Sequence, residues 1–197
     1  MIEEYAKWKK FYPELYEKVY APKWYYAGNV KHDTYSYNLY KPSKEKDLSE
    51  YFFPFLKEVI DNLQTQGRLK TLDIITIIPS HQTGCFSPTT DALAQKLSDY
   101  INLHYEKIIS RIKDTRQNTL RLPNALDRYN SVKDSMQITR ELTEKGILLL
   151  DDVRTTGITI LETKKILLEA GVKRTVTVCL GINSSKDRNG EQEVKNE

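Results

Sequence analysis

Two adjacent carboxylates, Asp151 and Asp152, stand between the apolar run at residues 147–150 and the hydroxyl-rich stretch Arg154-Thr155-Thr156-Gly157-Ile158-Thr159. Carboxylates accept hydrogen bonds from sugar hydroxyls, while Thr side chains and the approachable amide of a Gly donate to an anion. The run at 147–150 has the length and composition of a strand buried on both faces of a parallel sheet. Asp151 and Asp152 therefore arrive at its carboxyl end, where ligands bind in open α/β sheets. Residues 160–170 read as a helix, so the loop lies at a helix start whose free N–H groups and dipole favour an anion. A phosphate suits the loop and ribose hydroxyls suit the carboxylates. An ordinary carboxylate-rich helix cap accounts for one acidic residue, but not for the pair followed by Thr-Thr-Gly and a further Thr. The acidic strand end of a P-loop ATPase needs G-x-x-x-x-G-K-[ST] upstream, and the chain contains no such run.

Behind these residues the chain alternates strand and helix from residue 71 onward. Strands are expected at 72–78, 105–112, 147–152 and 176–182. Helices are expected at 89–101, with Thr89 or Thr90 as cap, at about 123–144, and from Thr159 until Gly171 stops it by adopting positive φ. Such alternation implies a doubly wound parallel sheet with right-handed crossovers and helices on both faces, an α/β fold. In that arrangement the loops after the strands at 72–78, 105–112 and 147–152 emerge on one side and converge. The first holds Ser80, His81, Gln82, Thr83 and Gly84; the second opens the basic stretch containing Lys107, Arg111, Lys113, Arg116, Arg121 and Arg128.

The beginning of the chain is different in kind. Ten of the thirteen Tyr and both Trp precede residue 52, which marks an aromatic-rich amino-terminal attachment. Within it, residues 2–20 carry apolar positions at helical spacing, interrupted near Pro13. Tyr35, Tyr37 and Leu39 alternate as in a short strand, and residues 48–63 read as a helix with Pro54 in its early part. The expected division is residues 1–68 as a helical hood segment, 69–183 as the α/β core and 184–197 as a polar tail without order. With 197 residues, 39% of them apolar and 29% charged, a sizeable core is expected. No apolar stretch is long enough for a bilayer, and residues 1–12 lack the apolar segment of a secretion signal, so a cytoplasmic location without membrane attachment is expected. Cys85 and Cys179 form no zinc-binding or disulfide pattern, and Cys179 lies in an apolar run suited to a core. The net charge of +3 is too small to argue for nucleic acid.

The hydrophobic strand, acidic pair and Thr/Gly-rich loop resemble the phosphoribosyl-pyrophosphate (PRPP) signature of type I phosphoribosyltransferases. The resemblance implies that Asp151 and Asp152 hold the ribose hydroxyls. It further implies that Val153, Arg154, Thr155, Thr156, Gly157, Ile158 and Thr159 wrap the 5-phosphate, and that Ser80, His81, Gln82 and Thr83 hold pyrophosphate on backbone amides. The family often has a basic residue near that first turn; here His81 stands there, and Gly84-Cys85-Phe86 replaces the expected Arg-Gly. The stretch Arg111-Ile112-Lys113-Asp114-Thr115-Arg116-Gln117, then Leu120, then Arg128-Tyr129-Asn130-Ser131-Val132, is similar to the competence-protein ComF family over roughly residues 70–182. The zinc-binding cysteines that begin typical members are missing, and the interval between Arg128 and Asn130 is one residue shorter.

What this implies is transfer of a 5-phosphoribosyl group from PRPP to a nitrogen acceptor, with Mg2+ held through PRPP and by Asp151 and Asp152. Lys113 and Arg116 are the cations chosen to neutralise the departing pyrophosphate. A nucleoside monophosphate is the other expected ligand, and a homodimer or a partner protein is expected on the amino-terminal aromatics. The competing expectation is a non-catalytic module of ComF-like type that senses PRPP or a nucleotide, or that joins a nucleic-acid-handling partner.

Overall fold

The computed structural model describes residues 1–5, 18–26, 33–40, 46–115 and 125–183. Its frame is three long-buried parallel strands, β4 (Ile74–Ile77), β8 (Gly146–Arg154) and β9 (Arg174–Asn183). Their branched apolar side chains alternate between two clusters. Ile147 and Leu149 enter one with Ile158, Leu161 and Leu167; Leu148 and Leu150 enter the other with Leu56, Ile60, Leu93 and Leu97. Period-two alternation into two cores is what a sheet covered on both faces requires.

Among the described residues the sheet has seven strands in the order β1-β2-β9-β8-β4-β5, with β3 also paired to β9. Here β1 is Ile2–Tyr5, β2 is Lys18–Ala21, β3 is Lys23–Tyr25 and β5 is His104–Tyr105. All pairings are parallel except β1 with β2. Helices α1 (Thr34–Tyr40), α2 (Ser49–Thr65) and α3 (Pro88–Ile101) feed the second cluster, and α5 (Ile158–Glu169) feeds the first. Between them lie α4 (Ala125–Asn130) and an antiparallel ribbon of β6 (Ile109–Arg111) with β7 (Met136–Ile138). The α/β sheet expected from the alternation is thus present, mostly parallel, with helices on both faces.

Several local expectations are corrected. The helical reading of residues 2–20 gives way at both ends to the strands β1 and β2, and residues 6–17 lie outside the described residues. Val19, Tyr20 and Ala21 bury against the sheet, and β2 and β3 run along β9 in one register, parted where Pro22 has no N–H to give. Tyr35 to Leu39 is helix, not strand. Asp33 caps it, accepting from the N–H of Tyr35 at 3.2 Å and of Ser36 at 3.1 Å, and the buried pair Tyr35 and Leu39 is an i, i+4 pair. Although burial pushes the Asp33 carboxyl up, these hydrogen bonds and that from the Ser36 hydroxyl hold it below the usual range.

Helix α2 runs through Pro54, its disruption offset by edge-to-face packing of Tyr35 on Phe52 and Phe55 at 5.1 and 5.2 Å. The cap of α3 is Ser87, whose Oγ accepts from the Thr90 N–H at 3.3 Å with Pro88 in the first turn; Thr89 instead donates to the Lys46 carbonyl. The strand expected at 105–112 divides into β5 in the main sheet and β6 in the ribbon. The helix expected at 123–144 is short: it ends at Asn130, the chain turns at Asp134 (φ 55°), and β7 follows because Met136 buries against Thr163. Gly171 ends the last helix as expected, with φ 82°; its Cβ would also stand 3.1 Å from the Thr143 backbone. Cys179 is buried, and the tail at 184–197 lies outside the described residues.

Candidate functional site

Strand β8 continues past its apolar run to Arg154, carrying Asp151 and Asp152 half-buried at its carboxyl end. Side-chain alternation sends the two apart. Asp151 lies opposite Cys179 on the face of Ile147 and Leu149, while Asp152 continues the face of Leu148 and Leu150. Their electrostatic neighbours follow the same division. Burial pushes the Arg111 guanidinium below its ordinary value, and the carboxylates of Asp151 and then Asp114 work in the opposite direction. Tyr25 is pushed up to about 12, first by burial and then by Tyr40 and the Asp152 carboxylate. Asp151 therefore addresses the basic excursion and Asp152 the amino-terminal aromatics.

The loop beyond turns on Gly157, whose φ of 79° starts α5 and whose carbonyl accepts from the Leu161 N–H at 2.9 Å. A Cβ there would be strained and would stand 3.2 Å from Arg154 Nε. Arg154, only 2% exposed, thus lies beneath the loop as its packing partner. Asp151 and residues 153–160 together line a small, open, polar concavity. The structure brings all of the expected residues from Val153 to Thr159 into that lining, with Asp151 beside them.

The first and second loops also meet. Thr83 donates its N–H and its hydroxyl to Asp114 Oδ1, each at 2.7 Å, and the Thr115 N–H donates to the His81 carbonyl at 2.8 Å. Arg111, 4% exposed, donates from Nε to the Ser80 carbonyl, from Nη2 to the Pro79 carbonyl at 3.3 Å and from Nη1 to Ser135 Oγ at 2.8 Å. Within the loop, Ser80 donates its N–H and hydroxyl to the Cys85 carbonyl, and the Cys85 N–H returns to the Gln82 carbonyl at 3.2 Å. Lys113 is exposed beside this joint; Arg116 lies outside the described residues.

The family model of the phosphoribosyl transferase domain matches residues 82–197, more than half of the chain. The chain belongs to this family. No curated protein matches it. The match takes in Gln82 and Thr83 of the first loop, the basic excursion and the whole signature, and the sheet just described is the α/β frame of a phosphoribosyl transferase domain.

The carboxylates expected near magnesium are Asp151 and Asp152. Among the described residues no group of three or more His, Cys, Asp or Glu could hold a metal ion. Two carboxylates on opposite faces of one strand end do not make a protein cage. They do fit an ion that takes its other oxygens from a phosphorylated ligand and from water, as magnesium does. Sequence reasoning passed over two residues in this phosphoribosyl transferase domain. Arg111, expected only among the basic residues of the second loop and its ComF-like stretch, is buried and ties two loops together, and Asp114 accepts from Thr83 across them. Their setting on β6 and just after it was the one available signal, since burial of a lone Arg does not show in composition.

Proposed function

We propose that the protein binds PRPP at the carboxyl end of β8 and transfers its 5-phosphoribosyl group to a nitrogen acceptor, releasing pyrophosphate. The observation that carries this reading is the half-buried Asp151 and Asp152 leading directly into the small concavity at the start of α5. The Thr155 to Thr159 loop takes the 5-phosphate on backbone N–H groups and hydroxyls, and the carboxylates take the ribose hydroxyls. The first loop takes the pyrophosphate. Magnesium, when bound, supplies positive charge to the phosphate oxygens. The ribose C1–O bond breaks with its electron pair leaving on pyrophosphate, the acceptor nitrogen forms the new C1–N bond, and its proton passes to solvent. The carboxylates stabilise the oxocarbenium-like sugar while Lys113 and Arg116 receive the departing charge. No protein nucleophile is required.

On the other side of Asp152, Tyr25 and Tyr40 support an acceptor region built by the amino-terminal segment together with the chain beyond Val176. The basic stretch from Arg111 to Gln117 supports placing the domain near the ComF type. A second reading, a PRPP- or nucleotide-sensing module without turnover, is favoured by one observation: His81 is the only partly basic side chain in residues 79–87. Calorimetric titration of PRPP with magnesium into the wild type and an Asp151→Asn/Asp152→Asn variant tests the site. Binding lost in the folded variant is the expected result; equal affinity overturns the assignment. Pyrophosphate release from PRPP over a panel of bases and amines then separates turnover from sensing.

A further inference from the structure

We infer that Asp114 is an internal stand-in for pyrophosphate, holding the first loop closed until the ligand displaces it. This rests on the reading of residues 80–83 as the pyrophosphate cradle. A backbone N–H and the hydroxyl of the same Thr, both aimed at one carboxylate oxygen, are the donor pair that a loop of this kind offers to a phosphoryl oxygen. In Thr83 both donors are given to Asp114 Oδ1 at 2.7 Å. The carboxylate comes from 31 residues along the chain, so it is not a local turn contact of the loop itself.

The neighbourhood reinforces the mimicry. The two Thr83 hydrogen bonds hold the Asp114 carboxyl below the usual range against its desolvation, and the charges of His81 and Arg111 add to that. These groups favour a negative oxygen at this spot whichever molecule supplies it. Asp114 and Thr83 are both exposed, so the acid leaves without opening a core. The segment that carries it is anchored on either side, by Arg111 on the Pro79 and Ser80 carbonyls and by Thr115 on the His81 carbonyl. Release of Asp114 then needs only a local swing between fixed points.

The consequence is an affinity set by competition: pyrophosphate must displace a tethered carboxylate, whereas the ribose 5-phosphate half binds without that exchange. The test is calorimetry with inorganic pyrophosphate and magnesium, and separately with ribose 5-phosphate, at fixed ionic strength. Wild type, Asp114→Ala and Asp114→Asn are compared with Asp99→Asn, which removes the same charge from an exposed position on α3. Asp114→Ala is expected to bind pyrophosphate about tenfold more tightly, with ribose 5-phosphate unchanged and Asp99→Asn like wild type. Pyrophosphate affinity that is unchanged or weaker in both Asp114 variants, with ribose 5-phosphate still bound, overturns the inference and leaves the proposed function standing. An equal gain in Asp99→Asn overturns it as well, because net charge alone would account for it. Failure of every protein, wild type included, to bind ribose 5-phosphate overturns the proposed function and this inference with it.

Discussion

The loop at Thr155 to Thr159 and the loop at Ser80 to Thr83 are both phosphate-binding candidates, but they are built in opposite ways. The first is shaped by its own chain: Gly157 supplies the turn, Arg154 packs beneath it and α5 begins from it. The second is shaped from a distance, by Arg111, Asp114 and Thr115 across its carbonyls and its Thr83 donors. A locally built loop can be recognised from contiguous residues; a tethered loop owes its shape and its availability to a partner that no window of sequence contains.

The largest effect that would break this comparison is loss of the carboxylates that serve the Thr155 to Thr159 loop. Asp151→Asn/Asp152→Asn should lower PRPP affinity at least about a hundredfold, as expected when several charge-assisted hydrogen bonds are lost. Its melting curve should stay close to wild type, because both residues are only half-buried. Next is Arg111→Ala, which leaves the Pro79 and Ser80 carbonyls without their buried partner and should cost roughly 3 kcal/mol in urea unfolding. Ribose 5-phosphate should still bind that variant, since the signature loop does not lean on Arg111. Equal loss of both halves of the ligand would show that the two loops are one unit.

Gly157→Ala tests the local loop alone. Strain at positive φ and crowding of Arg154 should cost about 1–2 kcal/mol, measured by thermal unfolding, with weaker ribose 5-phosphate binding and unaltered pyrophosphate binding. The smallest effect is a pH dependence at the tethered loop. Because the Asp114 carboxyl is held below its ordinary value, its bonds to Thr83 persist through the usual carboxylate range and are lost only as pH falls below it. The Thr83 amide resonance in NMR should titrate with that depressed midpoint, and the step should vanish in Asp114→Asn.

How much could be read in advance follows the same division. The buried runs of β4 and β8 declared a parallel sheet because strands covered on both faces carry no polar alternation, and the signature loop followed in contiguous residues. The β6–β7 ribbon stayed hidden because two three-residue strands, paired across a long insertion, have no periodicity of their own. Tyr35, Tyr37 and Leu39 misled for a different reason: alternation over so few residues also satisfies a helix that buries only the first and last, and the Asp33 cap decided between them. Lys113 was placed beside the joint of two loops, while Arg116 lies outside the described residues.

The pairing of β2 and β3 with β9 also bears on the order in which the molecule can assemble. The Tyr35 hydroxyl donates to the Leu180 carbonyl at 2.6 Å across 145 residues of chain, and β3 lies against the last described strand. During synthesis, Tyr20, Tyr25 and Tyr35 leave the ribosome long before the strand that covers them. The aromatic beginning must therefore wait, unburied, for the end of the domain. Closure over so long a stretch of chain carries a loop-closure cost that slows folding.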